Sequence, residues 1–208
     1  MAGRMTGSDV TAVFITADTQ ALDADGISVA ASVGNNAALT IEGALASGGS
    51  VTNVGGRIVT ILSAGDDSGI SFTVTGTDVS GDSQTESITG ANAGTATGSK
   101  YFRTITAISA VGDPAGNVSA GINASAADVI YAGRSRIKGV FIVNSGTAGT
   151  INFLITSPTG TSMMKAGTVA SATVTTNVVI PDEGVLFTAG AYIQYTTATF
   201  GKLTAFHA

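Results

Sequence analysis

Ile70-Ser71-Phe72-Thr73-Val74-Thr75 is the stretch on which the fold turns. Apolar and hydroxyl side chains alternate here residue by residue, and a period of two marks a strand with one buried face and one wet face. The alternation points Ile70, Phe72 and Val74 inward and Ser71, Thr73 and Thr75 outward. Just before it stands Gly65-Asp66-Asp67-Ser68-Gly69. Glycine reaches positive φ at no steric cost and aspartate accepts a hydrogen bond from the backbone two residues on, so this run reads as a turn.

Working outward, the same unit of short strand and turn recurs in both directions. Strands are expected at 10–16, 27–33, 37–41, 57–63, 70–77, 84–89, 101–109 and 117–121. Turns rich in Gly and Asp, such as Asp23-Ala24-Asp25-Gly26 and Gly112-Asp113-Pro114-Ala115-Gly116, separate them. A second series is expected at 129–132, 136–144, 150–156, 162–165, 173–180, 185–188, 192–197 and 202–206. The one helical candidate, 42–46, contains Gly43 and is too short to be more than a turn. The expected fold is all-β, with two small antiparallel β-sandwich modules (Ig-like or jelly-roll-like) in tandem. Their bounds are expected at 10–123 and 124–208, after an arm at 1–9. The arm is small and polar, and is expected to lie on a neighbouring subunit.

Composition narrows the function. The 208 residues include 28 Gly, no Cys, no Trp and one His, and only 11% are charged. Without cysteine there is no disulfide and no thiolate metal site. No apolar run approaches the ~20 residues of a membrane-spanning helix, and no apolar stretch of a Sec-type leader follows Arg4. Charge is uneven. Up to residue 123 there are four bases and eleven acids, a net −7, and after it five bases and three acids, a net +2. A net-acidic chain is a poor partner for nucleic acid, which needs clustered Lys and Arg. Membrane binding is likewise not expected.

Catalytic constellations are thin. A Ser–His–Asp triad would have to use His207, expected as a surface residue or interface contact near the chain end, where a base is hard to bury and orient. Glu42, Glu86 and Glu183 supply carboxylates for a glycosidase, but no Trp offers a sugar platform. Asp23-Ala24-Asp25-Gly26 resembles the opening of a calcium loop, yet the twelfth position is Gly34 instead of a bidentate Glu. No phosphate loop is present. The chain is therefore expected to be no enzyme, with no catalytic residue, no metal and no cofactor.

Interface residues are a better prospect. Arg134, Arg136 and Lys138 share one parity, and on a strand they would form a basic strip. Tyr192, Tyr195, Phe200 and Phe206 are too many aromatics for a core of ~80 residues, so some belong in a subunit interface. Arg134, Arg136, Lys138, Tyr192, Tyr195 and Phe206 are the expected contact set. Three-fold closure suits such a contact, which predicts a homotrimer.

Residues 63–110, which run SAGDDSGISFTVTGTDVSGDSQTESITGANAGTATGSKYFRTITAISA, resemble a segment recurring in virion structural proteins of tailed bacteriophages. RIKGVFIVNSGTAGTINFLI at 136–155 and IPDEGVLFTAGAYIQYTT at 180–197 are similar to small β domains of such proteins. The resemblance implies a non-enzymatic particle component and carries no catalytic residue with it. The leading expectation is a capsid decoration (cement) protein on the outer head surface, assembled in the host bacterial cytoplasm and bound to the major capsid protein or other virion proteins. The alternatives are a fibre or neck component, and a cell-surface or carbohydrate-binding adhesive module.

Overall fold

The computed structural model describes residues 10–208, and the arm at 1–9 lies outside them. Fifteen strands and no helix occupy the described residues: β1 (Thr11–Thr16), β2 (Asp23–Ser32), β3 (Ala46–Ser47), β4 (Ser50–Ser63), β5 (Ser71–Thr77), β6 (Ser83–Thr89), β7 (Thr95–Val111), β8 (Asn117–Tyr131), β9 (Ser135–Asn144), β10 (Gly149–Ile155), β11 (Ser162–Thr168), β12 (Thr175–Val179), β13 (Val185–Phe187), β14 (Ala191–Thr196) and β15 (Phe200–His207). The architecture is an all-β sandwich of antiparallel sheets.

The chain divides into two compact units, and their bounds differ from the expected 10–123 and 124–208. One unit is Asp18–Asp128 with Gln194–Thr197. The other takes the described residues up to Ala17 together with Val129–Ile193 and Ala198–Ala208. The difference comes from β1, which pairs with β15 along all six of its residues, from Thr11↔His207 to Thr16↔Lys202. Sequence neighbourhood assigned β1 to the first module; without it β15 would be a bare sheet edge. The division sharpens the charge asymmetry. The first unit holds eleven carboxylates against Arg57, Lys100 and Arg103, a net −8, and the described residues of the second hold five cations against Asp182 and Glu183, a net +3. They are called the acidic and the basic unit below.

In the acidic unit the strand order is β8-β4-β7-β5-β6, with β2 on β8 and β3 on β4. The β5–β6 hairpin keeps one register over seven pairs. The burial of β5 matches the alternation read from its sequence: Phe72 and Val74 are fully buried, and the hydroxyl residues between them are half-buried. Ile70 lies just before the strand and packs on the same core. Long β4 and β7 change partners along their length. Val51 and Thr52 pair with the later part of β7, whereas 57–62 sits between the early part of β7 and β8, with register shifts in between. Such shifts bend a strand and let it serve both layers of a closed core. Phe72, Phe102, Ile61, Ile105, Ile108 and Ile122 fill that core.

Two local expectations are corrected. The stretch 37–41 reduces to one bridge, Ala38↔Ser109, in which Leu39 donates to the Ile108 carbonyl at 2.8 Å. Asp23-Ala24-Asp25-Gly26 is the start of β2, not a turn, and Asp23 pairs with Ile122. The free side of β6 is closed by side chains in place of a ladder. Glu86 accepts from the Ser99 amide at 2.6 Å, and Gln84 donates to the Tyr101 carbonyl at 2.7 Å.

In the basic unit one sheet runs β1-β15-β9-β12, with β13 also on β9. Its inner face buries Ile15, Leu203, Ala205, Ile137 and Ile142. The β10–β11 hairpin and β14 contribute Ile151, Phe153, Ala166 and Ile193 to the same buried set.

Candidate docking faces

A buried polar cluster fixes the frame of the acidic unit. Arg57 on β4 has the parity of Val59 and Ile61 and is as fully buried as they are. Its guanidinium meets Asp18 at 3.2 Å, donates to the Gln20 carbonyl at 3.0 Å and donates to the Asn123 carbonyl. The Tyr195 hydroxyl accepts from the Asp18 amide at 3.0 Å and donates to Asp128 at 3.2 Å. Arg103 closes the network on Asp128 at 2.6 Å. Burial pushes the Asp128 carboxyl up to about 6, against the pull of Arg103 and the Tyr195 hydroxyl. Burial also raises Tyr195, helped by the Asp128 charge. Gly55 lies against this cluster, where a Cβ would stand 3.0 Å from the Tyr195 hydroxyl. Among the described residues the Arg57 Nε is buried without a hydrogen-bond partner, and the remaining contacts of the network favour one arrangement of the strands around it.

That frame supports a surface of hydroxyls on β5, β6 and β7. Thr77, Thr75, Thr73 and Ser71 pair with Ser83, Thr85, Ser87 and Thr89 on β6. On the other side they pair with Thr104, Ala107, Ser109 and Val111 of β7. No residue of these rows is charged. Thr106 is the extra residue of a bulge opposite Thr75 and Gly76, and its hydroxyl donates to the Thr75 carbonyl at 3.3 Å. A groove of about 360 Å³ opens there, lined by Thr75, Thr77, Ser83, Gln84, Thr85 and Thr106.

The basic unit presents a different surface. Phe14, Thr204, Phe141 and Asn177 stand opposite one another across four strands, and Ala12, Phe206, Gly139 and Val179 form the adjoining row. All point away from the core. Phe14 is 79% exposed, Val179 76%, and Phe141 and Phe206 37% each. Between Phe14 and Phe141 lies a groove of about 270 Å³, floored by Thr204, Leu203 and Val143 and bordered by Lys202. Singly exposed apolar residues are ordinary; four on one sheet face form a patch that marks an interaction surface.

Comparison with family models, with curated proteins and with solved structures gives no match. Site assignment therefore rests on geometry. The structure places the expected contact residues apart. Arg136 and Lys138 alternate outward on β9 as read, but Arg134 lies in the bend before that strand. Arg136 is held by Glu183 at 3.3 Å, and the Lys138 ammonium donates to the Asp182 carbonyl at 3.2 Å, so the strip is tied to its own turn. Phe206 is on the exposed face, and Tyr192 is half-buried on β14. Tyr195 is fully buried in the polar cluster and takes no place on the surface of this chain. His207 is also buried, contrary to the surface position expected for it, and its ring stacks on Tyr131 at 5.1 Å between centroids. Its neighbour Ala208 exchanges backbone hydrogen bonds with Arg136, which ties this end of β15 to β9. Asp67, read as a turn carboxylate, is buried and accepts from the Ala115 amide at 2.7 Å. Among the described residues no group of three or more His, Cys, Asp or Glu is placed to hold a metal ion.

Sequence reading missed Arg57, Asp18 and Phe14. Arg57 was visible in principle, as the one charge at inward parity in Arg57-Ile58-Val59-Thr60-Ile61. Phe14 carried no such signal, because which face of β1 is outward depends on its distant partner β15.

Proposed function

We propose that this chain is a non-enzymatic structural component of a tailed-phage virion, a decoration protein seated on the outer surface of the head. The observation that carries this reading is the hydroxyl surface of β5, β6 and β7, because the residues that resemble phage virion segments, 63–110, are the ones that build it. An uncharged sheet face of Ser and Thr meets backbone and polar groups of a protein shell through many hydrogen bonds, each a net ~1 kcal/mol. It asks for no matching charge on the partner. Attachment across neighbouring capsid subunits adds interface free energy to the shell and opposes the pressure of packaged DNA. Roughly 1,200–2,000 Å² of buried surface is the usual size of a specific contact. The major capsid protein is the partner in this reading, and assembly takes place in the host cytoplasm.

Quantitative mass spectrometry of purified particles tests the reading. Hundreds of copies per particle are expected. Six or twelve copies would move the chain to a neck or fibre position, and none would remove it from the virion. Thr75→Lys with Thr85→Lys should empty the particle of this protein while leaving the isolated chain folded. The groove beside Thr106 favours a second reading, an adhesive module for neutral glycans, since its lining offers hydroxyl donors and acceptors without charge. Micromolar glycan-array binding lost on Gln84→Ala would favour that reading.

A further inference from the structure

We infer that the outer face of the β1-β15-β9-β12 sheet is a self-complementary contact, and that its occupant is the same face of a second copy of this chain. The knob and the hole are on one surface. Phe14 projects with 79% of its surface exposed, and the groove of about 270 Å³ begins beside it, over Thr204 and on to Phe141. A two-fold axis between β1 and β15 places the Phe14 ring of each copy in the groove of the other, so that every contact is made twice. Three-fold closure, expected from the count of aromatics, requires two different patches; here the patch and its complement coincide.

Charge supports the same occupant. The charged side chains on the outward side of the four strands are Lys202 at one end and Arg136 and Lys138 at the other, the latter two held by Glu183 and the Asp182 carbonyl, and no carboxylate stands on these strands. The two central rows, from Phe14 to Asn177 and from Ala12 to Val179, carry no charge, so a partner chosen by charge would find nothing to pair with there, and the centre of the face meets its own copy without like-charge opposition. The sheet edges agree. β1 and β12 carry no charged side chain and no proline, the devices by which sheets keep other strands away.

Area sets the strength. Four strands at about 4.8 Å and three outward residues at about 6.7 Å per strand cover roughly 400 Å². A standard stable interface buries about 800 Å² per partner. The pairing is therefore weak in dilute solution, forming at tens to hundreds of micromolar, and becomes persistent where many copies are held close together.

Sedimentation equilibrium of the full chain between about 10 and 500 μM is the primary experiment. A monomer–dimer equilibrium is expected, with its midpoint shifted at least tenfold upward by Phe14→Asp. Leu22→Asp, at an exposed apolar site in the acidic unit, should leave it unchanged. The chain has no cysteine, so Thr204→Cys provides a clean second measurement. Beside the two-fold axis it should give a disulfide-linked dimer under mild oxidation, in far higher yield than Thr85→Cys. A monomer at 500 μM, a trimer, or association indifferent to Phe14→Asp in a folded protein would each overturn the inference. So would a monomer whose particle binding is lost on Phe14→Asp, which would assign the face to another virion subunit. None of these outcomes bears on copy number in the particle, so this inference and the decoration reading fail separately.

Discussion

Arg57 in the acidic unit and Arg136 in the basic unit both stand on β-strands, and both meet a carboxylate at nearly the same distance, 3.2 Å and 3.3 Å. Their surroundings differ in every other respect. Arg57 and Asp18 are buried, and the guanidinium also donates to two carbonyls. Arg136 is about one-third exposed, and its partner Glu183 is almost wholly in solvent. Distance therefore says little about what an ion pair does. A buried pair is expensive to form and more expensive to break, because removing one member strands the other charge away from water. An exposed pair is screened and costs side-chain entropy, which leaves it worth little.

The sharpest way to break this contrast is Arg57→Ala. It should destabilise the acidic unit by about 5 kcal/mol, leaving Asp18 unpaired and the Gln20 and Asn123 carbonyls unsatisfied. Urea unfolding followed by circular dichroism measures it, and a loss below about 1 kcal/mol would show that the buried pair is dispensable. Phe72→Ala probes the apolar core beside that cluster and should cost about 3–4 kcal/mol, since the ring is fully buried. An unchanged midpoint would mean that the strand register is wrong.

Asp128 gives the third prediction. Burial raises its carboxyl to about 6 in the folded chain, above the ordinary aspartate value of about 3.9, so folding favours the protonated form. The unfolded chain releases that proton at lower pH. This group's contribution is therefore most favourable below about pH 4, falls as pH rises to about 6, and stays flat above, a swing of up to about 3 kcal/mol. Asp128→Asn still offers the Tyr195 hydroxyl an acceptor and should remove that segment. Subtracting the two stability profiles from pH 4 to 7 reads it directly. A difference profile without slope, or one of opposite sign, would count against the burial of this group. The smallest effect belongs to Arg136→Ala, expected within about 0.5 kcal/mol of the parent by the same unfolding experiment. A loss above 1.5 kcal/mol would make the Glu183 pair more than a surface contact.

Where the fold was legible, it was legible locally. The alternation at β5 gives its inward and outward faces correctly because both follow from a period of two. The turn expected at Glu42–Ala46 also exists, closed by the Ala46 amide donating to the Gly43 carbonyl at 2.9 Å. What was not legible required knowledge of distant partners. Tyr195 reads as a spare aromatic, and only the arrival of Asp18 and Asp128 from other segments makes it a buried hydrogen-bonding group. His207 reads as a loose residue near the chain end, and only its contact with Tyr131 buries it. The apolar face of the basic unit was anticipated in Phe206 alone. Its largest member, Phe14, sits on a strand whose partner lies at the other end of the sequence.

That pairing of β1 with β15 has a consequence for biosynthesis. Strand β1 leaves the ribosome well before its hydrogen-bonding partner, since Thr16 pairs with Lys202, 186 residues further along. At about 5–20 residues per second the interval is roughly ten to forty seconds. Throughout it Thr11–Thr16, uncharged and carrying Phe14, has no native strand partner, while β5, β6 and β7 of the acidic unit can pair with one another as they are made. The polysome of this protein thus displays a row of identical unpaired apolar strands. Chaperone capture, or a delay in translation until Asp18–Asp128 has folded, is the protection such a nascent chain needs.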